Sequence, residues 1–510
     1  MSKTRLTRGK LLAVTGVAVT LVGVVLLLVL TAQAGLLRPE FRVAAGGVLA
    51  VGLVAVAAWL YRRPGERVGA IALAATGVAA AYMDVIAVTT IYGWVSAPVG
   101  LVVAAIIGGG GLTLARSWDS QHLGVLVLVP LIVLAPVVAG GITLLLVSFM
   151  LALAAASLPM QLGKDWIWLH CARIAASTFP VIIALLAVYF DDRRDLWLVG
   201  ACGIAAVLAV SAALILLPRT GNRVLMALLT AAGVLPVLCV ALVAGRAVAA
   251  LMAAALAAAL LAIVLLSGGL TGVDGVVRQI WAALSAISAT ITVLVAFDGH
   301  IAGPVMLAMA VVVAVAGRRE AIARWVAVGV AAVGAAFYLN YAPPGSLVAV
   351  TATTTATGVS TLIASLLLIT FAAAILWTLN ERDSVMWACS AVVIVYAITA
   401  FTVTAGVLVC GETRGFFAGH VAATICWIVL AAALLIYATR VSRAYRSLPI
   451  GGGLALVAAA MAKLFLFDLG TLDGIFRIVV FIVVGLVLLG LGAGYARLLE
   501  KQDQQQHQRA

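Results

Sequence analysis

The sequence predicts an all-α fold, a polytopic transmembrane helix bundle, and three observations support this class. Residues 11–497 form almost unbroken apolar runs, each about as long as the hydrocarbon core of a bilayer is thick. Hydrophobic residues make up 65% of the 510 positions and charged residues only 10%, too few to solvate the surface of a soluble protein of this length. Runs such as residues 21–30 lack the alternation of a β-barrel strand, so the spans are predicted to be helices.

The apolar runs divide into 18 predicted spans, separated by short polar or glycine-rich connectors. Two neighbouring pairs are only weakly separated, one by the prolines and glycines at residues 130–141 and the other by Gly245 and Arg246. Fusing either pair would reverse the orientation of every later span. The predicted spans are 11–31, 42–61, 69–92, 97–115, 123–138, 141–159, 167–190, 196–217, 223–244, 247–266, 275–297, 303–317, 321–340, 358–379, 385–404, 418–438, 450–468 and 474–496.

The distribution of positive charge predicts that both termini are cytoplasmic. With the amino terminus inside, 23 of the 31 Lys and Arg residues fall in cytoplasmic segments and six in external segments, while Lys463 and Arg477 lie at or within span ends. Membrane proteins carry such an excess on their cytoplasmic loops. The predicted domains are a basic amino terminus at 1–10, the helical bundle at 11–497 and a polar cytoplasmic tail at 498–510, which we expect to be disordered.

Composition and motifs exclude several classes of function. The net charge of +13 comes from basic residues spread over many short loops, so no basic face for nucleic acid is predicted. Five of the six cysteines lie inside apolar runs and no C-x-x-C occurs, so neither a disulfide framework nor a metal site is predicted. No connector between spans exceeds about 15 residues, which leaves no room for a soluble nucleotide-binding domain. We therefore predict no cofactor.

The carboxy-terminal stretch carries the most distinctive pattern in the chain. Gly419 and His420 are followed by Trp427, by a basic loop, and by the run KLFLFDLGTLDGIFR at residues 463–477. An array of one lysine, two aspartates and one arginine between two spans is unusual. With these motifs, residues 419–497 resemble the end of the large bacterial membrane proteins grouped as domain-of-unknown-function family 2339.

The amino-terminal stretch, residues 9–94, is similar to the opening helices of the same family. It includes GLLRPEFRV at residues 35–43 and IYGW at residues 91–94. The resemblance implies a multi-spanning bundle in the bacterial inner membrane and assigns no activity.

Asp84 is the first candidate for a polar site within the membrane. It lies inside the third predicted span, about 12 Å from the external end of that span. An ionised carboxylate at this depth is costly and normally faces a cavity or a cation. Asp84 therefore indicates a site for proton or ion coupling or for a polar head group, or else a protonated side chain hydrogen-bonded to a neighbouring helix.

Lys463, Asp468, Asp473 and Arg477 form the second candidate site. Asp473 and Arg477 are four residues apart and can pair on one face of a helix. The turn at residues 470–474 folds the last two spans together, so we expect the four charges to converge near the external interface. They would either bind an anionic or sugar-like head group or clamp the last hairpin together, with Lys463 extending its amine outward.

Three weaker candidates complete the set. His170 and Arg173 share a helix face near the cytoplasmic end of the seventh span, next to Trp166 and Trp168. An interfacial aromatic belt with an Arg side chain that snorkels to the surface would explain them without a function. His420 begins the sixteenth span on the external side, where a lone histidine is usually solvated.

Because the sequence contains no recognisable catalytic motif and no soluble domain, we favour a transporter or flippase for an amphipathic or lipid-linked cell-envelope substrate in the bacterial inner membrane. Many spans, no soluble domain and charges within the bundle suit translocation through a cavity, although no inverted repeat is visible. The alternatives are a membrane-embedded glycosyl- or acyl-transferase and a non-catalytic scaffold for an envelope complex. A cavity at Asp84 or Lys463 would favour the first two, and a solid bundle the third. The expected partners are membrane lipids and a lipid-linked substrate, and the sequence gives no indication of the oligomeric state.

Overall fold

A computed structural model describes residues 38–63, 66–191, 195–378, 384–440 and 446–468, together with residues 23 and 478 and the short stretches 481–486 and 489–490. Within these residues the chain is helical and contains no strand. The predicted all-α polytopic bundle is therefore confirmed for the described part of the chain.

Seventeen α-helices follow one another through the described residues. They are α1 (Pro39–Tyr61), α2 (Arg67–Ile86), α3 (Ala97–Ser117), α4 (Gln121–Ala139), α5 (Leu144–Ala156), α6 (Leu158–Gln161), α7 (Ile167–Phe190), α8 (Leu196–Leu216), α9 (Arg223–Leu238), α10 (Arg246–Leu265), α11 (Gly275–Ala296), α12 (Gly299–Ala316), α13 (Ala321–Tyr341), α14 (Thr355–Thr378), α15 (Ser384–Cys410), α16 (Glu412–Arg440) and α17 (Ser447–Lys463). Short π-helical segments continue α2 over Ala87–Ile91 and α17 over Leu464–Asp468, and 3-10 turns lie at Leu217–Arg219, Val240–Leu242, Ser267–Gly269 and Pro344–Leu347.

Sixteen of the described helical stretches are long and apolar enough to cross a membrane, with α5 and α6 together making one of them. They correspond one for one to the predicted spans from 42–61 to 450–468. Only residue 23 of the first predicted span, 11–31, is described, and only residues 478, 481–486 and 489–490 of the last, 474–496; both termini lie outside the described residues. The total of 18 spans and the cytoplasmic location of the ends therefore stay predictions.

Both weakly separated pairs of spans are separate helices. Helix α4 ends at Gly140, whose φ of 72° is a left-handed conformation that glycine adopts without steric cost. Helix α5 then begins after Thr143, whose hydroxyl accepts a hydrogen bond from the Leu146 amide at 3.4 Å. In the second pair, α9 passes into the 3-10 turn Val240–Leu242, and α10 starts at Arg246.

The chain divides into two compact units, Met1–Val295 and Ala296–Ala510. In the first unit α1 packs along α2, α3 along α4, and α8 along α9. Helix α7 packs against α4, α5, α8 and α9 and has the largest share of buried residues among the described spans. His170, Arg173, Ser177 and Thr178 on α7 are accordingly buried inside the protein.

In the second unit α12 packs against α13 and α14, and α14, α15, α16 and α17 pack in sequence, each against the next. Glycines allow α15 and α16 to touch at their backbones, because a Cβ at Gly406 would overlap the Gly415 carbonyl and one at Gly419 would overlap Val403 Cα. Helices α15 and α17 both lie on α16 but hardly touch each other. This arrangement leaves a gap between them.

Candidate functional site

The gap between α15 and α17 is a cavity of about 1050 Å³, with α16 as its floor. This volume lies at the upper end of the range, roughly 300–1,000 Å³, in which proteins bind small molecules. Apolar side chains make up most of the lining, among them Leu376, Trp387, Leu430 and Leu434. The cavity can therefore hold a long apolar group within the membrane.

Helix α17 faces the cavity with small residues and ends in a positive charge. Gly451, Ala455, Ala459 and Lys463 all line the cavity and recur every four residues, which places them on one side of the helix. Ser447 lines the cavity at the start of the same helix, about 24 Å along the axis from Lys463. The three small residues leave the volume open, and the lysine introduces a cation at one end of it.

The Lys463 amine lies against α16. Its Nζ donates hydrogen bonds to the Thr424 hydroxyl at 2.7 Å and to the main-chain carbonyl of His420 at 3.2 Å. These contacts join α17 to α16 and fix the charge at the side of the cavity. Sequence analysis treats Lys463 and His420 as separate candidates, and the structure brings them together.

His420 lies inside the protein, with 2% of its surface exposed, so the interpretation of a solvated interfacial histidine is wrong. The physical reason is that α16 begins at Glu412, six residues before the predicted start, which moves His420 two turns into the helix. Its ring packs edge-on against Phe416 with centroids 4.5 Å apart, and it lines the cavity with Lys463.

Three further polar side chains line the same cavity. The indole Nε1 of Trp427 donates to the Thr399 hydroxyl at 3.0 Å, and the Tyr396 hydroxyl donates to the Ala342 carbonyl at 2.6 Å. Trp427 belongs to the motifs of the family resemblance, whereas Thr399 and Tyr396 stand alone within an apolar run. Single polar or aromatic residues inside apolar runs carry no signal that separates a cavity wall from ordinary helix packing.

The remainder of the predicted charge cluster falls outside the described residues. Asp473 and Arg477 belong to that part of the chain, as does the side chain of Asp468, whose backbone ends the π-helical segment after α17. The predicted convergence of these three charges on Lys463 stays a prediction.

Asp84 lies on α2 and faces α1. A Cβ at Gly46 of α1 would overlap the Asp84 carboxylate, so the two helices meet at this point. The Oδ2 atom of Asp84 is buried and has no hydrogen-bond partner among the described residues, and neither has the buried Nε of Arg42, one turn before Gly46. The π-helical segment Ala87–Ile91 starts three residues after Asp84, and such segments occur frequently at functional sites.

His170 and Arg173 form a buried pair on α7. Arg173 Nη2 donates to His170 Nδ1 at 2.7 Å, and the two side chains belong to residues that are 3% and 0% exposed. The interpretation of a snorkelling arginine is therefore wrong, because α7 is surrounded by four other helices. Of the two neighbouring tryptophans, Trp166 is buried and Trp168 is exposed.

The described residues contain no group of three or more His, Cys, Asp or Glu side chains that could hold a metal ion. All six cysteines are free, and Cys389 and Cys410 are exposed. The candidate residues predicted from the sequence therefore lie at three places in the described part: the end of the cavity at Lys463, the contact of Asp84 with α1, and the buried pair on α7.

Comparison with known protein families identifies the part of the chain that carries the cavity. Residues 306–498 match the family model described as predicted membrane protein (DUF2339). This is the family that the carboxy-terminal motifs at residues 419–497 resemble, and the match covers less than half of the chain. No curated protein and no solved structure gives a significant match. All the residues that line the cavity lie within the matched residues 306–498.

Proposed function

We propose that this protein transports or flips an amphipathic substrate, a lipid-linked or other cell-envelope amphiphile, across the bacterial inner membrane. The observation that carries the proposal is the cavity of about 1050 Å³, which is apolar along most of its length and has Lys463 and His420 at one end. An amphiphile would place its apolar chain along the small-residue face of α17 and its head group at the level of Lys463.

The chemistry of the cavity favours an anionic head group. Hydrogen bonds to the Thr424 hydroxyl and to the His420 carbonyl hold the Lys463 amine at the wall of the cavity. The positive charge of Lys463 would attract an anionic head group placed beside it and repel a cationic one.

The two alternatives fit the cavity less well. A transferase needs a carboxylate base or a metal-binding pair at the reacting centre, and the described lining of the cavity contains neither Asp nor Glu. A scaffold needs no cavity, because a solid bundle packs its helices more tightly. Translocation uses both features of the site, the apolar volume and the charge.

Substitution of one small residue in the cavity tests this proposal. Ala459→Leu would fill the cavity next to Lys463, whereas Ala458→Leu adds the same side chain at an exposed neighbour that does not line it. The full-length chain is purified from nanodiscs of phosphatidylcholine and phosphatidylglycerol, and native mass spectrometry counts the retained lipids. We expect retained phosphatidylglycerol in the wild type and in Ala458→Leu, and its loss in Ala459→Leu.

Transport is measured separately, in proteoliposomes that contain fluorescent phosphatidylglycerol. A quencher added outside the vesicles removes the fluorescence of lipid in the outer leaflet, so the further loss of fluorescence reports exchange between the leaflets. We expect lipid exchange faster than in protein-free vesicles, and a return to the protein-free rate in Ala459→Leu. Lys463→Met should retain phosphatidylcholine and phosphatidylglycerol equally. Binding without faster exchange would refute transport of this lipid class, and equal lipid retention by the two Leu variants would refute the binding site itself.

A further inference from the structure

The buried pair on α7 leaves two hydrogen-bond donors without acceptors. Because Arg173 Nη2 donates to His170 Nδ1, that nitrogen is an acceptor, so the histidine is neutral and carries its proton on Nε2. Nε2 of His170 and Nη1 of Arg173 are both buried, and neither has a partner among the described residues. What the pair lacks is therefore an acceptor.

The described residues also supply no negative charge to the pair. Arginine stays protonated in proteins, and the neutral histidine contributes no counter-charge. No carboxylate of the described residues lies within ion-pair distance of Arg173. A buried cation without a counter-ion is strongly unfavourable, because the ion loses its hydration when it is removed from water. An occupant that supplies a negative charge would offset this cost, and water alone would not.

A small cavity adjoins Arg173. It lies between α5, α6, α7 and α8 and has a volume of about 10 Å³. A space of roughly 10–15 Å³ holds one water molecule, so a halide ion, which is larger than water, fits once the surrounding side chains move slightly, and a polyatomic anion does not fit. Ser177 lines the cavity, and its hydroxyl, which donates to the Ile174 carbonyl at 3.0 Å, can rotate towards an anion.

We infer that this cavity is a binding site for a single halide ion, chloride under cellular conditions, held by Nη1 of Arg173. The ion would neutralise the buried guanidinium and join α7 to α5 and α8. Its size excludes phosphate, sulfate and carboxylates. The site lies in the first compact unit and does not depend on the function proposed for the cavity in the second unit.

Thermal unfolding of the full-length chain in detergent tests this inference. The unfolding midpoint is measured in sodium chloride, sodium bromide and sodium gluconate at equal ionic strength. A ligand that binds only the folded state raises the midpoint in proportion to the logarithm of its concentration once the site is filled. We expect this slope for chloride and bromide and none for gluconate. Arg173→Met should abolish it, while Arg319→Met, at an exposed arginine, should retain it.

Diffraction from crystals of the wild-type chain grown in bromide gives a second measurement that does not depend on the folding of a variant. We expect an anomalous bromide peak within contact distance of Arg173 Nη1. A peak at that position together with a halide slope would establish the site. Electron density without anomalous signal would identify the occupant as water and overturn the inference, and so would a midpoint that does not distinguish halides from gluconate.

Discussion

The contact between Asp84 and Gly46 allows a quantitative test of how α1 and α2 pack. Gly46→Ala would place a Cβ where the Asp84 carboxyl group lies, 2.8 Å from Cγ and closer still to both oxygens. The whole carboxyl group therefore has to move, and not only its tip. Gly52, two turns later on the same helix, has no heavy atom within 4 Å of the equivalent position, so Gly52→Ala is the matched control.

The expected magnitude follows from two opposing effects. Replacing glycine by alanine inside a helix gains about 0.5–1 kcal/mol, because alanine loses less backbone entropy on folding. Inserting a methyl group into occupied space costs about 1–3 kcal/mol. Gly52→Ala should therefore be neutral or stabilising by up to about 1 kcal/mol, and Gly46→Ala should be less stable than Gly52→Ala by about 1–3 kcal/mol.

A double mutant isolates the contact itself. Asp84→Ala removes the carboxyl group and opens the space that the new Cβ needs. In the Asp84→Ala background, Gly46→Ala should change the free energy of unfolding no more than Gly52→Ala does. Gly46→Ala and Asp84→Ala should therefore show an interaction energy of about 1–3 kcal/mol. The free energy of unfolding is measured in mixed micelles by titration with a denaturing detergent, with helix content followed by circular dichroism.

Two results would refute the reasoning. Equal unfolding free energies for Gly46→Ala and Gly52→Ala would mean that Asp84 does not face Gly46. A deficit in Gly46→Ala that persists after Asp84→Ala would mean that the alanine meets some other group.

Three shorter predictions concern the second unit and the topology. Thr424→Val should lower the free energy of unfolding by about 1 kcal/mol, because Lys463 loses the shorter of its two hydrogen bonds to α16. Thr439→Val, at an exposed position of α16, is the control and should leave the free energy of unfolding unchanged. Gly419→Ala should cost more than about 2 kcal/mol, since its Cβ would meet the backbone of α15, which cannot rotate away; an unfolding midpoint like that of the wild type would contradict this contact. Reporter fusions at Ala510 and at the Gly411 turn should report cytoplasmic and external locations respectively, and an external Ala510 would require an odd number of spans.

Sequence analysis predicts the helices of this protein well because each membrane span is a local property. A run of apolar residues long enough to cross the bilayer must satisfy its backbone hydrogen bonds within itself, so its length and composition identify it. Even the weak boundary at Gly140 is encoded locally, by a left-handed glycine followed by the capping hydroxyl of Thr143. The start of α16 is also marked by a left-handed glycine, Gly411 with a φ of 81°, yet the prediction there is six residues late.

The candidate sites depend on long-range packing and are therefore predicted only in part. The sequence indicates Lys463 as a candidate because a charge within the end of a span is unusual. Its contact with Thr424 is not predictable in this way, because it depends on how α16 and α17 cross. The burial of Arg173 likewise depends on the four helices around α7, and the sequence near Arg173 resembles that of an interfacial arginine. A charge in a span indicates that some compensation exists, and only the packing shows which group supplies it.

Small residues have opposite consequences on α16 and α17, and this difference explains why the second unit contains a cavity. On α16, Gly415 and Gly419 face α15, and the absence of side chains lets the two backbones touch. On α17, Ala455 and Ala459 face a gap, because α15 lies across α16 and hardly touches α17. The same composition therefore produces close contact in one place and open volume in the other. A larger side chain on the α17 face would fill that volume without separating any pair of packed helices, so loss of lipid binding in such a variant would report on the cavity rather than on the fold.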